Sequence, residues 1–143
     1  MLPVLKRQYI KTTLPVAGLF LVFGLARQLD FITAGQFVIP SALHSVVFVL
    51  SVITAIAGPV FFRTFFAHSM RGKKEVPAKE FLSFQKKLLW ISQITPYFAF
   101  AAVLCDFSRF YAAAIVLMAL YAIYYYFPSQ NRIHFDRVIF RVK

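Results

Sequence analysis

The chain has 143 residues, 60% of them hydrophobic and 18% aromatic, and its 16 Lys and Arg against 5 Asp and Glu give a net charge of +11. A soluble domain is usually about 45–50% apolar, and here the apolar residues fall in long runs punctuated by basic groups. That excludes a soluble enzyme, a disordered tail and a conventional nucleic-acid-binding domain, and leaves a small integral membrane protein. The single cysteine, Cys105, allows no intrachain disulfide, CxxC motif or Cys/His zinc spacing, so disulfide-shuttling membrane oxidoreductases are excluded too. Cys105 reads as a small packing residue.

A basic arm (Lys6, Arg7, Lys11) precedes the first apolar run. The segment from Gly24 to Asp30 has no convincing small-x-small cleavage site, so the run reads as a retained anchor and not as a secretory signal. Between Lys11 and Arg27 it is short, about 22 Å at 1.5 Å per residue. Snorkelling of the two flanking cations stretches the expected span to residues 12–29. The run between Asp30 and Arg63 is too long for one straight span, but Gly35, Pro40 and Ser41 break its start, which predicts a helix over 41–66. The runs at 88–105 and 110–128 match the ~20 residues a bilayer requires. The expected fold class is therefore all-α: one polytopic domain of four transmembrane helices in two hairpins, with a basic loop over 67–87 and an amphipathic tail over 132–143.

Orientation follows from the cations. In a four-helix topology every Lys and Arg except Arg27 and Arg109 falls on the side shared by the N-terminal arm, the 67–87 loop and the tail. The positive-inside rule places that side in the cytoplasm, N-in and C-in, most simply in a bacterial inner membrane. Asp30 and Asp106 balance Arg27 and Arg109, so the whole excess charge belongs to the cytoplasmic face.

The hairpins share features. Arg27-x-x-Asp30-Phe31 and Asp106-Phe-x-Arg109-Phe110 mark the outer junctions, and Pro59-x-x-x-Arg63 and Pro128-x-x-x-Arg132 mark the inner exits. A duplicated hairpin is one explanation, but membrane exits generally favour Pro, aromatic residues and Arg, and we prefer that plainer reading. Small residues recur every three or four positions at Ser51, Ala55 and Gly58, and at Ser92, Thr95, Ala99 and Ala102, with further alanines in the fourth run. In lipid such stripes mark close helix contacts. Pro96 is expected to kink the third helix and free a carbonyl near Ser92.

Two inner segments read as interfacial. Phe81, Phe84 and Leu88 share one face of a helix beginning after Pro77, and Phe135, Val138, Ile139 and Val142 follow helical spacing beside Arg137 and Arg141. Trp90 and Tyr124–Tyr126 form an aromatic belt at the same boundary.

No catalytic or metal-ligating set is present, and neither an enzyme motif nor a cofactor is expected. No Asp or Glu lies inside a span, whereas ion-coupled transporters generally need an intramembrane carboxylate. His44, Ser92 and Gln93 are the candidates for a polar intramembrane site, with His44 more simply a hydrogen-bonding group near the outer end. Anionic headgroups are expected to meet Arg63, His68, Lys73, Lys74, Lys86, Lys87, Arg132, His134, Arg137 and Arg141. The bilayer is a nearer anion than nucleic acid, which is not expected as a partner.

The leading functional expectation is a non-enzymatic protein working through helix–helix contacts, as a homo-oligomer or an accessory subunit of a larger membrane complex. Its basic cytoplasmic face would bind anionic lipid. The alternative is an oligomeric transporter or channel for a small or amphipathic solute, lined by His44, Ser92, Gln93 and Thr95. Third comes a lipid-headgroup enzyme, which requires Arg63, His68, Arg132 and His134 to converge at the inner leaflet.

Overall fold

The computed structural model describes residues 1–33, 37–73 and 75–142. Gly35, expected to help break the second run, and the basic Lys74 and Lys143 lie outside the described residues. The described chain forms α1 (Leu2–Gln28), α2 (Ser41–Val52), a π-helical turn (Ile53–Ala57), α3 (Gly58–Ser69), α4 (Ala78–Ser92), α5 (Thr95–Leu104), α6 (Arg109–Tyr125) and α7 (Gln130–Ile139). Three helical stretches, Leu2–Gln28, Ser41–Ser69 and Ala78–Leu104, are long and apolar enough to cross a membrane. A fourth exists if α6 and α7, bent by 77° at their junction, are one span.

The helices run beyond the apolar spans wherever a neighbour covers the extension. α1 begins at Leu2, and not near residue 12, because Leu5 and Tyr9 bury against α4 and the end of α6. α4 begins at Ala78, after Pro77. Its Phe81, Phe84 and Leu88 face, expected to be the apolar face of an interfacial segment, is covered by protein: all three are buried among Phe62, Phe66 and Phe140 of α3 and the C-terminal segment. The hydrophobic pattern was sound, but the apolar partner is protein and not lipid.

Two irregularities have local causes. Pro59 has no N–H to offer the Ala55 carbonyl, and its ring would collide with that carbonyl in a regular helix. The chain widens into a π turn in which the Gly58 N–H bonds the Ile53 carbonyl. A Cβ at Gly58 would come within 2.9 Å of that oxygen and 3.2 Å of Ile91 Cγ2, so the widened turn depends on glycine. Pro96 acts similarly on the third stretch. The helix breaks at Gln93–Ile94, and the N–H groups of Tyr97 and Phe98 both bond the Ile94 carbonyl, at 3.0 and 3.3 Å.

The repeated Asp-Phe junctions are helix caps. Asp30 (φ 56°) and Asp106 (φ 50°) adopt the left-handed conformation that Asp tolerates better than most residues. The next N–H, from Phe31 or Phe107, reaches back to Ala26 or Ala102 at 3.0 Å. The same cap recurs where it was not foreseen, with Arg141 at φ 49° and the Val142 N–H on the Arg137 carbonyl at 3.0 Å.

The core has two tiers. Leu5, Tyr9, Phe81, Phe84, Leu88, Tyr126 and Phe140 fill the tier at the basic end. Ala99, Ala102, Phe107, Ile115 and Ala119 fill the other, with Phe20 and Phe48 against them. Between them lies a seam of small polar residues: Thr12, Ser51, Ser92, Gln93 and Thr95 are all buried.

Candidate functional site

The basic end is organised by one buried carboxylate. Asp136, only 2% exposed, accepts from Arg63 Nη2 at 2.6 Å and Gln85 Nε2 at 2.9 Å. Arg63 also lies over the Phe140 ring, 5.8 Å from its centroid. Helices α3 and α4 thereby hold α7 at a single point. Low dielectric strengthens such charge-assisted bonds and makes any unpaired member costly. This triad does not follow from the sequence expectations, which leave Asp136 without a role. The available signal was that Ile133, Asp136 and Phe140 share a helical face, with the tail's one acid in the middle of it.

The other expected anion-binding residues are dispersed. Arg63 is engaged by Asp136, and the Arg132 guanidinium covers the rings of Tyr125 and Tyr126, at 4.5 and 5.0 Å. The Arg132 N–H also bonds the Ser129 hydroxyl that caps α7. Lys73 pairs with Glu80 at 3.4 Å on the surface. Lys86 is half-buried, with its carbonyl accepting from Gln8, while His68, Lys87, His134, Arg137 and Arg141 are exposed. Lys74 lies outside the described residues.

Helix α7 presents two different faces. Ile133, Asp136 and Phe140 turn inward, whereas Phe135 and Val138, each 63% exposed, and Ile139 turn away from the protein. Arg137 and Arg141 stand exposed beside them. With the 77° bend from α6, this apolar face runs across the end of the helical stack and not along it. A basic amphipathic helix in that attitude suits a membrane interface.

The polar seam joins helices inside the stack. The Thr54 and Thr95 hydroxyls hydrogen-bond at 2.8 Å, and Thr13 donates to Gln93 Oε1 at 3.0 Å. Tyr9 and Tyr97 donate to the Ile123 and Thr12 carbonyls, at 2.8 and 3.1 Å. Among the described residues Gln93 Nε2 is buried without a hydrogen-bond partner. His44 is not brought to Ser92 and Gln93: it stacks on Phe107 with ring centroids 4.2 Å apart, in the other tier. Of the small-residue stripes, Ser51, Ala55, Thr95, Ala99 and Ala102 are buried within the chain and Gly58 is half-buried. They support contacts between helices of the same molecule.

Among the described residues no three of His, Cys, Asp and Glu come together as metal ligands. Comparison with protein families, curated proteins and solved structures returns no match.

Proposed function

We propose that this is a four-span protein of a bacterial inner membrane, in which the 17 residues of α6 form the fourth span without α7, with both termini and the 70–77 connection between α3 and α4 in the cytoplasm. It acts through contacts of its helices with a second copy or a larger membrane complex, and its basic end binds anionic lipid. The observation that carries this reading is α7, whose outward apolar face and flanking arginines lie across the basic end. A cytoplasmic leaflet supplies both the acyl surface and the negative charge that such a helix requires. Because the small-residue stripes are buried within one chain, the contacts with a partner fall on large exposed side chains, such as Phe61 and Phe65 of α3.

Native mass spectrometry of the protein released gently from its own membrane tests both halves of the reading. Retention of anionic over zwitterionic phospholipid, together with a dimer or a defined second protein, is the expected result. A bare monomer with no lipid preference would refute it.

A second reading, transport of an amphipathic solute, draws on the unpartnered Gln93 amide. Near it an apolar groove of about 260 Å³ between α1, α5 and α6 includes Thr13, whose hydroxyl bonds Gln93. Solute flux in liposomes that Gln93→Leu abolishes would favour it; absence of flux across a broad solute panel counts against it. Headgroup chemistry is less well supported, because Arg63 and Arg132 are engaged within the chain and His68 and His134 are exposed.

A further inference from the structure

We infer that the open cleft between the end of α3 and the C-terminal segment is a binding site for the phosphate of an anionic phospholipid, with Arg71 and Arg141 as the principal ligands. This rests on the proposed lipid binding by the basic end and assigns it a place. The cleft encloses about 290 Å³ and is lined by Met70, Arg71, Lys73, Ile139, Phe140 and Arg141 among others.

Three observations distinguish it from the rest of the basic surface. First, its cations are available. Arg63 and Arg132, the arginines nearest the helix exits, are held by Asp136 and by two tyrosine rings, whereas Arg71 and Arg141 are exposed and belong to neither the Arg63–Asp136 nor the Lys73–Glu80 ion pair. Lys73 pairs with exposed Glu80, a surface contact that yields readily to a stronger anion. Second, the site is fixed by backbone. Arg141 sits in a left-handed cap, its N–H on the Val138 carbonyl at 3.2 Å, and its own carbonyl accepts from the Val76 N–H at 3.2 Å. That tie joins the tail to the loop after α3, so Arg71 and Arg141 face one space although they are distant in sequence.

Third, the lining is amphipathic. Met70, Ile139 and Phe140 supply apolar walls, and Ile139 continues onto the exposed Phe135–Val138 face of α7. A free phosphate has no use for that continuation. A phospholipid does: its phosphate meets planar guanidinium forks, which suit phosphate oxygens, while its chains lie along α7.

The probe is phosphatidylglycerol, compared with phosphatidylcholine, on the intact protein in detergent, with bound lipid counted by native mass spectrometry. Arg71→Gln and Arg141→Gln should each weaken phosphatidylglycerol binding about fivefold, equivalent to ~1 kcal/mol per basic group, and the double variant by the product. Lys86→Gln/Lys87→Gln, which changes basic groups outside the cleft lining, should have a smaller effect than either arginine variant. Helical circular dichroism of each variant checks that the fold is intact. If wild type shows no preference for phosphatidylglycerol, lipid binding by the basic end fails altogether. If the preference persists in R71Q/R141Q and falls in the lysine variant, the general reading stands and this site is overturned. Displacement by millimolar inorganic phosphate as effective as by soluble short-chain phosphatidylglycerol would also overturn it, because the site would then take a free anion.

Discussion

Replacing Asp136 by alanine removes the acceptor that Arg63 reaches at 2.6 Å and Gln85 at 2.9 Å. The two partners are not equally affected. Arg63 is a third exposed, so water recovers much of its lost solvation, while the buried Gln85 amide keeps an unmet donor. An unsatisfied buried amide costs about 1–3 kcal/mol, and a full buried ion pair broken from one side about 3–5 kcal/mol. Discounting the pair for the exposure of Arg63 leaves about 2–4 kcal/mol for Asp136→Ala. Much of this loss should appear locally, as release of α7, because Asp136 joins that helix to both α3 and α4. The assay is SDS-driven unfolding in mixed micelles followed by helical circular dichroism, alongside the rate of tryptic cleavage after Arg137. The transition should fall to lower SDS and cleavage should accelerate on the order of tens-fold. The double variant Arg63→Met/Asp136→Leu should be less destabilised than Asp136→Leu alone, since no charge is then left unpaired. Wild-type behaviour of Asp136→Ala in both readouts would show that the buried carboxylate does not hold α7.

Other substitutions test the remaining joints. Gly58→Ala forces a methyl against the Ile53 carbonyl at 2.9 Å, and backbone yields poorly, so a loss of about 1–3 kcal/mol is expected in the same SDS titration. Ala99→Leu and Ala102→Leu overpack the buried contact of α5, also by about 1–3 kcal/mol. That loss should be independent of protein concentration, and a concentration-dependent loss would instead place the stripe between copies. Thr95→Val removes the bond to the Thr54 hydroxyl and should cost about 0.6 kcal/mol, the average for hydrogen bonds between membrane helices. In a double-mutant cycle Thr54→Val should add less in its presence than alone.

Patterning along the chain made the helical stretches legible. Apolar runs between charges located the membrane-crossing candidates, and Pro96 announced the break near Gln93. In sequence Pro59 reads only as an exit signal, although it widens the helix into a π turn, because the collision responsible lies with the Ala55 carbonyl one turn earlier. Ser92 and Gln93 were recognisable as polar residues in an apolar run, but their partners were not. Thr13 lies 80 positions from Gln93, and nothing local marks which threonine will face it.

Composition, apolar run length and charge spacing are properties of short windows, so they were enough to reveal an all-helical chain with membrane-length helices and a strongly basic set of connections. Which surfaces remain available was a question for tertiary packing. The faces of α4 and α7 have the same amphipathic pattern, yet Phe81 and Phe84 are buried under α3 and the C-terminal segment while Phe135 and Val138 are left outside. Arg63 and Arg141 look alike as basic residues, but one is bound to Asp136 and the other lines an open cleft. The difference arises because burial and pairing depend on residues far away in the chain, brought close only when the helices stack.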